Sequence, residues 1–417
     1  TGIALDQANS CFWVTGYTSS AEWVIDGWQT TYGGGYDDAF VAKIIEIQPP
    51  AAPTSPGAVA VGVDTVTWTW EDNSSDETGF KVYDDPWVWP PATWQTTTSA
   101  DIEAWEHAGL AANTQYAFQV AATNGIASSA RTSNFMTWTL IEPVNGLVFS
   151  DIGIGTISVA SANVPSNLTS GASGLQFGNT TAGTASSWQQ DNTPWASGSL
   201  TSNTQYAFTG QSRNGAFTVS PASTNAKYTL SAAPSVGNNV VCDKSVGTLY
   251  PAGTVFTFSN PPGFGAGTHG GNGYMVSKYA YTWDDSPNCV FTGSEAEWNA
   301  STLPQSPSSS GSYYLHLQSF NAEGTPNPVT LDYGPFDIDT EPPEPWSGDH
   351  PDVDQNSDPG MYEFSVFWHD NVGMDPGTYD DGDVRVTGPN GYEELGVFVR
   401  IDSPAAVYAI TPPGGTW

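Results

Sequence analysis

The fold class is all-β, a row of tandem β-sandwiches, and three observations predict it. Apolar and polar residues alternate over short runs throughout the chain, while helical periodicity is almost missing. The 44 Gly and 31 Pro among 417 residues punctuate those runs, as turns between short strands require. The hexapeptide Asn-Thr-Gln-Tyr-Ala-Phe occurs twice, with Tyr116 and Tyr206 90 residues apart, which is the length of one small sandwich. A chain this long holds about three or four such cores.

The strands follow from the alternation. TVTWTWED (65–72), QYAFQVAAT (115–123), AGTVFTFSN (252–260), SYYLHLQSFN (312–321) and YEFSVFWHD (362–370) each place apolar residues at every second position, so one face is buried and the other is solvated. ADIEAWEHAG (100–109) reads equally as a short helix, a loop or a strand. Pro-rich joints divide the chain: IQPPAAPTSP (47–56), IEPVNG (141–146), SAAPSVG (231–237) and DTEPPEPWSG (339–348). Neighbouring prolines favour extended, semi-rigid spacers. The resulting segments are 1-46, 51-140, 141-231, 232-339 and 341-417.

The segment 51-140 resembles a fibronectin type III domain, through its Pro-rich start, Trp68 and Trp70 in VTWTWEDNSSDETGFKVY, Leu110, and the tyrosine of NTQYAFQVAATN. The resemblance implies that Trp68, Trp70 and Tyr116 are core positions and that the leucine packs at a turn. Segment 141-231 resembles the same family through LTSNTQYAFTGQSRNG, with Tyr206 as its core residue, although its early strand GTISVASANVP lacks the tryptophan. SGSYYLHLQSFNAEG (310–324) makes 232-339 resemble a divergent member, with Tyr314 and Asn321 in the roles of Tyr116 and Asn124. HDNVGMDPGTYDDGDVRVTGPNGYEELGVFV (369–399) and the closing YAITPPGGTW (408–417) make segment 341-417 similar to immunoglobulin-like modules of bacterial surface proteins, and it is expected to lack its last strand. LDQANSCFWVTGYTSS (5–20) and TTYGGGYDDAFVAKI (30–44) resemble one bacterial β-propeller-type repeat (SBBP-like). One blade cannot bury its faces alone. The chain is therefore expected to be part of a longer polypeptide, or to complete both end modules from adjoining copies.

Charge narrows the partners. With 9 Lys plus Arg against 43 Asp plus Glu, the formal charge is -34, which repels nucleic acid and anionic lipid. Ca²⁺ is the natural counterpart and the one cofactor with support. Fourteen acidic residues and no Lys or Arg lie between Asp337 and Asp383. Asp337, Asp339, Glu341, Asp352, Asp354, Asp370, Asp381 and Asp383 read either as a calcium site at a domain junction or as a solvated acidic loop. Cys242 and Cys289 are the candidate disulfide pair of the three cysteines, and no Cys-x-x-Cys supports zinc. No run of about 18 apolar residues suggests a membrane span.

No catalytic motif is recognisable: there is no nucleophile elbow, zincin helix or phosphate loop. Paired carboxylates such as those of EDNSSDE (71–77) are uninformative in so acidic a chain. GFGAGTHGGNG (263–273) lacks the lysine and following helix of a phosphate cradle and reads as a flexible loop with a lone His269. Trp87, Trp89 and Trp94, set among prolines, read as contact aromatics for a neighbouring subunit or a polysaccharide, or as residues buried in their own domain. The function expected is that of a non-catalytic, secreted, extracellular or cell-surface structural protein, a filament, sheath or surface-layer component. Its partners are expected to be its own copies, joined head-to-tail by strand complementation, or neighbouring domains of a longer chain. The alternatives are a carbohydrate-binding adhesion module and an appendage of a larger secreted hydrolase.

Overall fold

The computed structural model describes residues 2–7, 11–19, 35–59, 61–86, 93–346, 360–371, 373–388 and 391–411. Among the described residues the regular structure is strand throughout, apart from one 3₁₀ turn at Pro376–Thr378. The chain divides into two compact units. One holds residues 1–150, 158–197 and 207–226; the other holds 151–157, 198–206 and 227–417.

The first unit begins with an antiparallel sheet of Gly2–Asp6, Cys11–Thr18 and Asp38–Ile45, with Cys11–Thr18 in the middle. Its register aligns Leu5 with Phe12 and Phe12 with Ile44, so three large apolar side chains form one row across a face. All three are exposed, as are Ile3 and Val41.

The sandwich that follows pairs Thr54–Val59, Thr65–Glu71 and Ala104–Ala108 in one sheet. Phe135–Trp138, Gln115–Thr123, Gly79–Pro86 and Trp94–Thr97 form the other. Alternation along Thr65–Glu71 buries Val66, Trp68 and Trp70 against Phe80, Val82, Phe118 and Val120. The Trp68 indole lies flat on Phe118, with centroids 4.8 Å apart, and its Nε1–H donates to the buried Asp84 at 3.0 Å. Tyr116 accepts the N–H of Ala111 at 2.9 Å, and Tyr206 accepts that of Thr201 at 2.8 Å. A buried phenol thus fixes the turn five residues upstream in both copies of the hexapeptide. The stretch read as helix, loop or strand contains the strand Ala104–Ala108, after a turn in which Asp101 has φ 57°.

Residues 141–231 build a sheet of Leu147–Ser150, Ile157–Ser161 and Trp195–Ser197. A second sheet runs in the order Thr184–Ala185, Gly174–Asn179, Gln205–Arg213, Ser223–Tyr228. Where the earlier domain has tryptophans, Ile157 and Val159 are fully buried.

In the second unit, Val241–Cys242, Phe256–Ser259 and Thr302–Gln305 face a five-stranded sheet in the order Leu249–Pro251, Pro326–Asp339, Gly311–Phe320, Lys278–Asp284, Ala296–Trp298. Two expectations are corrected here. Cys242 and Cys289 are free thiols. Cys242 ends a strand of the three-stranded sheet while Cys289 follows Lys278–Asp284 in the other sheet, and burial pushes the Cys242 thiol up to about 11. Tyr314 is not a core marker: Tyr313, Leu315 and Leu317 face the core, and a register shift separates Tyr313 from Leu315. Since side chains alternate with period two, a one-residue slip in reading exchanges the faces. The last segment forms a sheet of Glu344–Pro345, Tyr362–His369, Ala405–Ile410 and Val397–Asp402 and a pair Arg385–Thr387 with Glu393–Leu395. Phe364, Val366, Ala406, Tyr408 and Ile410 are its buried cluster.

Candidate functional site: buried asparagine joints

The asparagine that opens each hexapeptide does more than make a turn. Asn113 and Asn203 have φ 46° and 48°, the left-handed region that Asn tolerates better than other side-chain-bearing residues. Both are 0 % exposed. Their amides therefore need partners, and each finds them in the sandwich that follows in sequence.

At the first joint, Asn113 Nδ2–H donates to Asn167 O at 2.6 Å, and its Oδ1 accepts the N–H of Gly215 at 2.8 Å. At the second, Asn203 Nδ2–H donates to Gly265 O at 2.6 Å and Ser277 Oγ at 3.1 Å, and its Oδ1 accepts the N–H of Ala322 at 2.7 Å. The following sandwich answers with an asparagine of its own. Asn214 Nδ2–H donates to Thr139 O at 3.1 Å and Asn321 Nδ2–H to Thr229 O at 3.0 Å. Their Oδ1 atoms meanwhile close their own turns, on Thr218 N–H and Thr325 N–H at 2.8 Å. Asn124, the residue of the first sandwich at the same place in its late strand, donates to Gln48 O at 3.1 Å.

Hydroxyls beside the joints recur as well, with bonds inside their own sandwiches. Thr139 Oγ1 accepts the N–H of Thr114 at 3.0 Å and donates to Ala111 O at 2.8 Å; Thr229 Oγ1 does the same with Thr204 and Thr201 at 3.1 and 2.7 Å. Ser212 donates to Glu142 O at 2.8 Å and Ser319 to Ala232 O at 2.7 Å. In each joint the polar groups of both partners satisfy one another away from water, the condition under which buried hydrogen bonds specify one arrangement.

The apolar filling differs. In the first joint Trp138 lies so close to Gly215 that a Cβ there would sit 2.3 Å from Cζ3. Gly215→Ala is expected to destabilise this joint by about 1–3 kcal/mol, the usual penalty of overpacking. Adding Trp138→Ala should recover most of the loss in a double-mutant cycle read by chemical denaturation, and additive effects would remove the close approach as the cause. In the second joint the Gly-rich loop read as a flexible one wraps the turn. Gly267 N–H donates to Asn203 O at 2.7 Å, Ser202 Oγ donates to Gly273 O at 2.8 Å, and a Cβ at Gly267 would lie 2.6 Å from Thr204 Oγ1. His269 meets the Tyr206 hydroxyl at 3.3 Å. Lys227 and Glu323 form a part-exposed ion pair at 2.7 Å, which adds little by itself.

The residues expected to bind calcium are not brought together in this way. Asp337 accepts from Ser312 at 2.6 Å, Asp339 caps the N–H of Glu341 at 3.1 Å, Asp370 takes Gly373 N–H at 3.0 Å, and Asp381 takes Phe398 N–H at 2.8 Å. Asp383 accepts the Tyr408 hydroxyl at 2.8 Å; Asp352 and Asp354 lie outside the described residues. Among the described residues the group of three acidic side chains that does converge is Asp72, Glu77 and Asp101. Trp87 and Trp89 also lie outside the described residues. Trp94 is 60 % exposed, and its Nε1–H turns back to Thr96 O at 2.8 Å.

The joint asparagines escaped the sequence reading, although the signal was present: Asn113, Thr114 and Thr139 recur as Asn203, Thr204 and Thr229, each 90 residues on.

No family model matches the chain, and no curated protein matches it. Among solved structures, it is similar to a segment of two fibronectin type III domains from chicken tenascin, at 18 % identity and TM-score 0.35, covering 43 % of this chain and all of that one. It is also similar to the FN1–FN3 domains of chicken CNTN1, at 14 % identity and TM-score 0.23, covering 69 % of this chain and 99 % of that one.

Proposed function

We propose that this protein is a non-catalytic, extracellular structural component whose work is to hold β-sandwiches in fixed succession within a larger assembly. The observation that carries the reading is the joint built twice from the same residues: Asn113 with Asn214, and Asn203 with Asn321. A chain whose domains only needed tethering would tolerate a solvated linker, since relative motion is the default for domains in series. Here the most regular polar side chains of the repeat are engaged in joining one domain to the next.

The same reading assigns the first sheet to contact with another copy or with a neighbouring domain. Its Leu5–Phe12–Ile44 row is exposed apolar surface of the kind that marks an interface. The high negative charge suits a protein that stays soluble until such a specific contact forms.

Sedimentation velocity over rising concentrations tests the assembly. The chain is expected to associate, and the variant Leu5→Lys/Ile44→Lys to remain monomeric over the same range. A wild-type chain that stays monomeric, or a variant that associates equally, overturns the role given to this sheet.

A further inference from the structure

The structure assigns a divalent-cation site, of the kind calcium fills, to Asp72, Glu77 and Asp101 at one end of the first sandwich. Asp72 and Glu77 lie on the loop that follows strand Thr65–Glu71, and Asp101 lies in the turn before strand Ala104–Ala108. One carboxylate oxygen from each comes within 4.8 Å of the others. Calcium binds oxygens at about 2.3–2.6 Å, so ligands on opposite sides of one ion stand roughly 4.6–5.2 Å apart. Three oxygens held this close come within the reach of one ion once their side chains adjust.

Proximity of carboxylates alone would say little in a chain of 43 acidic residues. What points to a ligand is Glu77. It is 8 % exposed, and its Oε2 atom is closed to solvent and has no hydrogen-bond partner. The N–H of Asp101 reaches only Oε1, at 3.3 Å. Leaving a buried carboxylate oxygen without donor or water is costly, and such groups in proteins are paired or coordinate metal.

Among the described residues no ion pair involves Asp72, Glu77 or Asp101. Neither loop contains Lys or Arg, and the nearest in sequence are Lys43, Lys81 and Arg131. Lys81 bonds Ser128 at 3.1 Å, and the Arg131 guanidinium lies 3.5 Å over the Tyr83 ring. Three carboxylates collected by two loops, one of them with a buried oxygen, leave a positive charge wanting. Calcium suits the place better than magnesium because it accepts irregular, partly hydrated oxygen sets, whereas magnesium demands a near-ideal octahedron. The ion would clamp the two loops together, a role separate from the asparagine joints.

The test is calcium titration of the full chain by isothermal calorimetry in 150 mM KCl, after removal of metal with EGTA. One saturable site is expected, with an affinity in the range of about 10⁻⁴–10⁻³ M usual for extracellular modules. Glu77→Gln and, separately, the more exposed Asp101→Asn should each weaken it roughly tenfold or more, the scale seen when a metal's surroundings lose a needed group. The thermal midpoint of the wild type should rise with calcium while those of the variants do not. No saturable heat up to 10 mM calcium, unchanged binding in both variants, or equal displacement by magnesium overturns the assignment. If Glu77→Gln fails to fold, Asp101→Asn alone decides.

Discussion

Replacing Trp68 with Ala is expected to destabilise the first sandwich by about 3–5 kcal/mol, the range for removing a buried large aromatic. The side chain is fully buried, lies flat on Phe118 at 4.8 Å and donates to Asp84 at 3.0 Å. Truncation therefore opens a cavity between the two sheets and takes one donor from a carboxylate that is itself 1 % exposed. His107 Nδ1, 2.7 Å from the same Asp84 oxygen, remains. Trp68→Phe keeps an aromatic ring against Phe118 but loses the indole N–H and part of the bicycle. It should therefore be milder than the alanine variant yet still cost at least the about 1.5–3 kcal/mol usual for a hydrogen bond to a charged group. A chain of several domains does not unfold as one two-state system. Native-state hydrogen exchange is the suitable measurement: amides of Thr65–Glu71 and Gln115–Thr123 should lose protection while those of Lys278–Asp284 keep theirs. Equal protection in Trp68→Ala and wild type would show that this pair does not hold the sheets together.

The strands around Trp68 were legible in the sequence because one face is dry and the other wet. Thr65–Glu71 alternates buried and part-exposed residues from Val66 to Trp70, and period two survives translation into letters. Legibility is lost to a miscount of one residue. Tyr313 stands eight residues before Asn321, as Tyr116 stands eight before Asn124, and it is Tyr313, not Tyr314, that packs on the core. Residues whose importance lies in long-range partners were harder still. Asn113 meets Gly215, 102 residues away, and nothing local to Asn-Thr-Gln-Tyr distinguishes that bond from an ordinary turn. The acidic residues show the same limit. Asp72 and Asp101 are brought together by sheet pairing between Thr65–Glu71 and Ala104–Ala108, whereas the denser run from Asp337 to Asp383 is taken up by local turns and hydroxyls. Density in sequence measures charge; convergence is set by topology.

Asn203 carries the second large effect. Asn203→Ala strands the carbonyl of Gly265 and the N–H of Ala322, held now at 2.6 and 2.7 Å, and removes the bond to Ser277. It also leaves a β-carbon at φ 48° without the local compensation an Asn side chain provides. Each buried polar group left unpaired costs about 1–3 kcal/mol, and the left-handed backbone adds roughly 1–2 kcal/mol, so a loss of about 3 kcal/mol or more is expected. Asn203→Gly abolishes the same hydrogen bonds but relieves the backbone, and should be milder by the second amount. Asn203→Asp keeps an acceptor for Ala322 N–H but turns a carboxylate toward the Gly265 carbonyl, so it should be worse than Gly. The readout must be local to the joint: faster exchange of the Ala322 and Gly267 amides and new proteolytic cleavage between Gly263 and Gly273, with the core strand Lys278–Asp284 still protected. Asn113→Ala should act in the same way on Gly215 N–H and leave the Ala322 amide unchanged, because the two joints share residues of one repeat but no hydrogen bond. Should Asn203→Ala leave the loop uncleaved and the Ala322 amide as slow as before, the asparagine would be a turn residue only. The twice-written hexapeptide would then describe two cores, with no part in joining them.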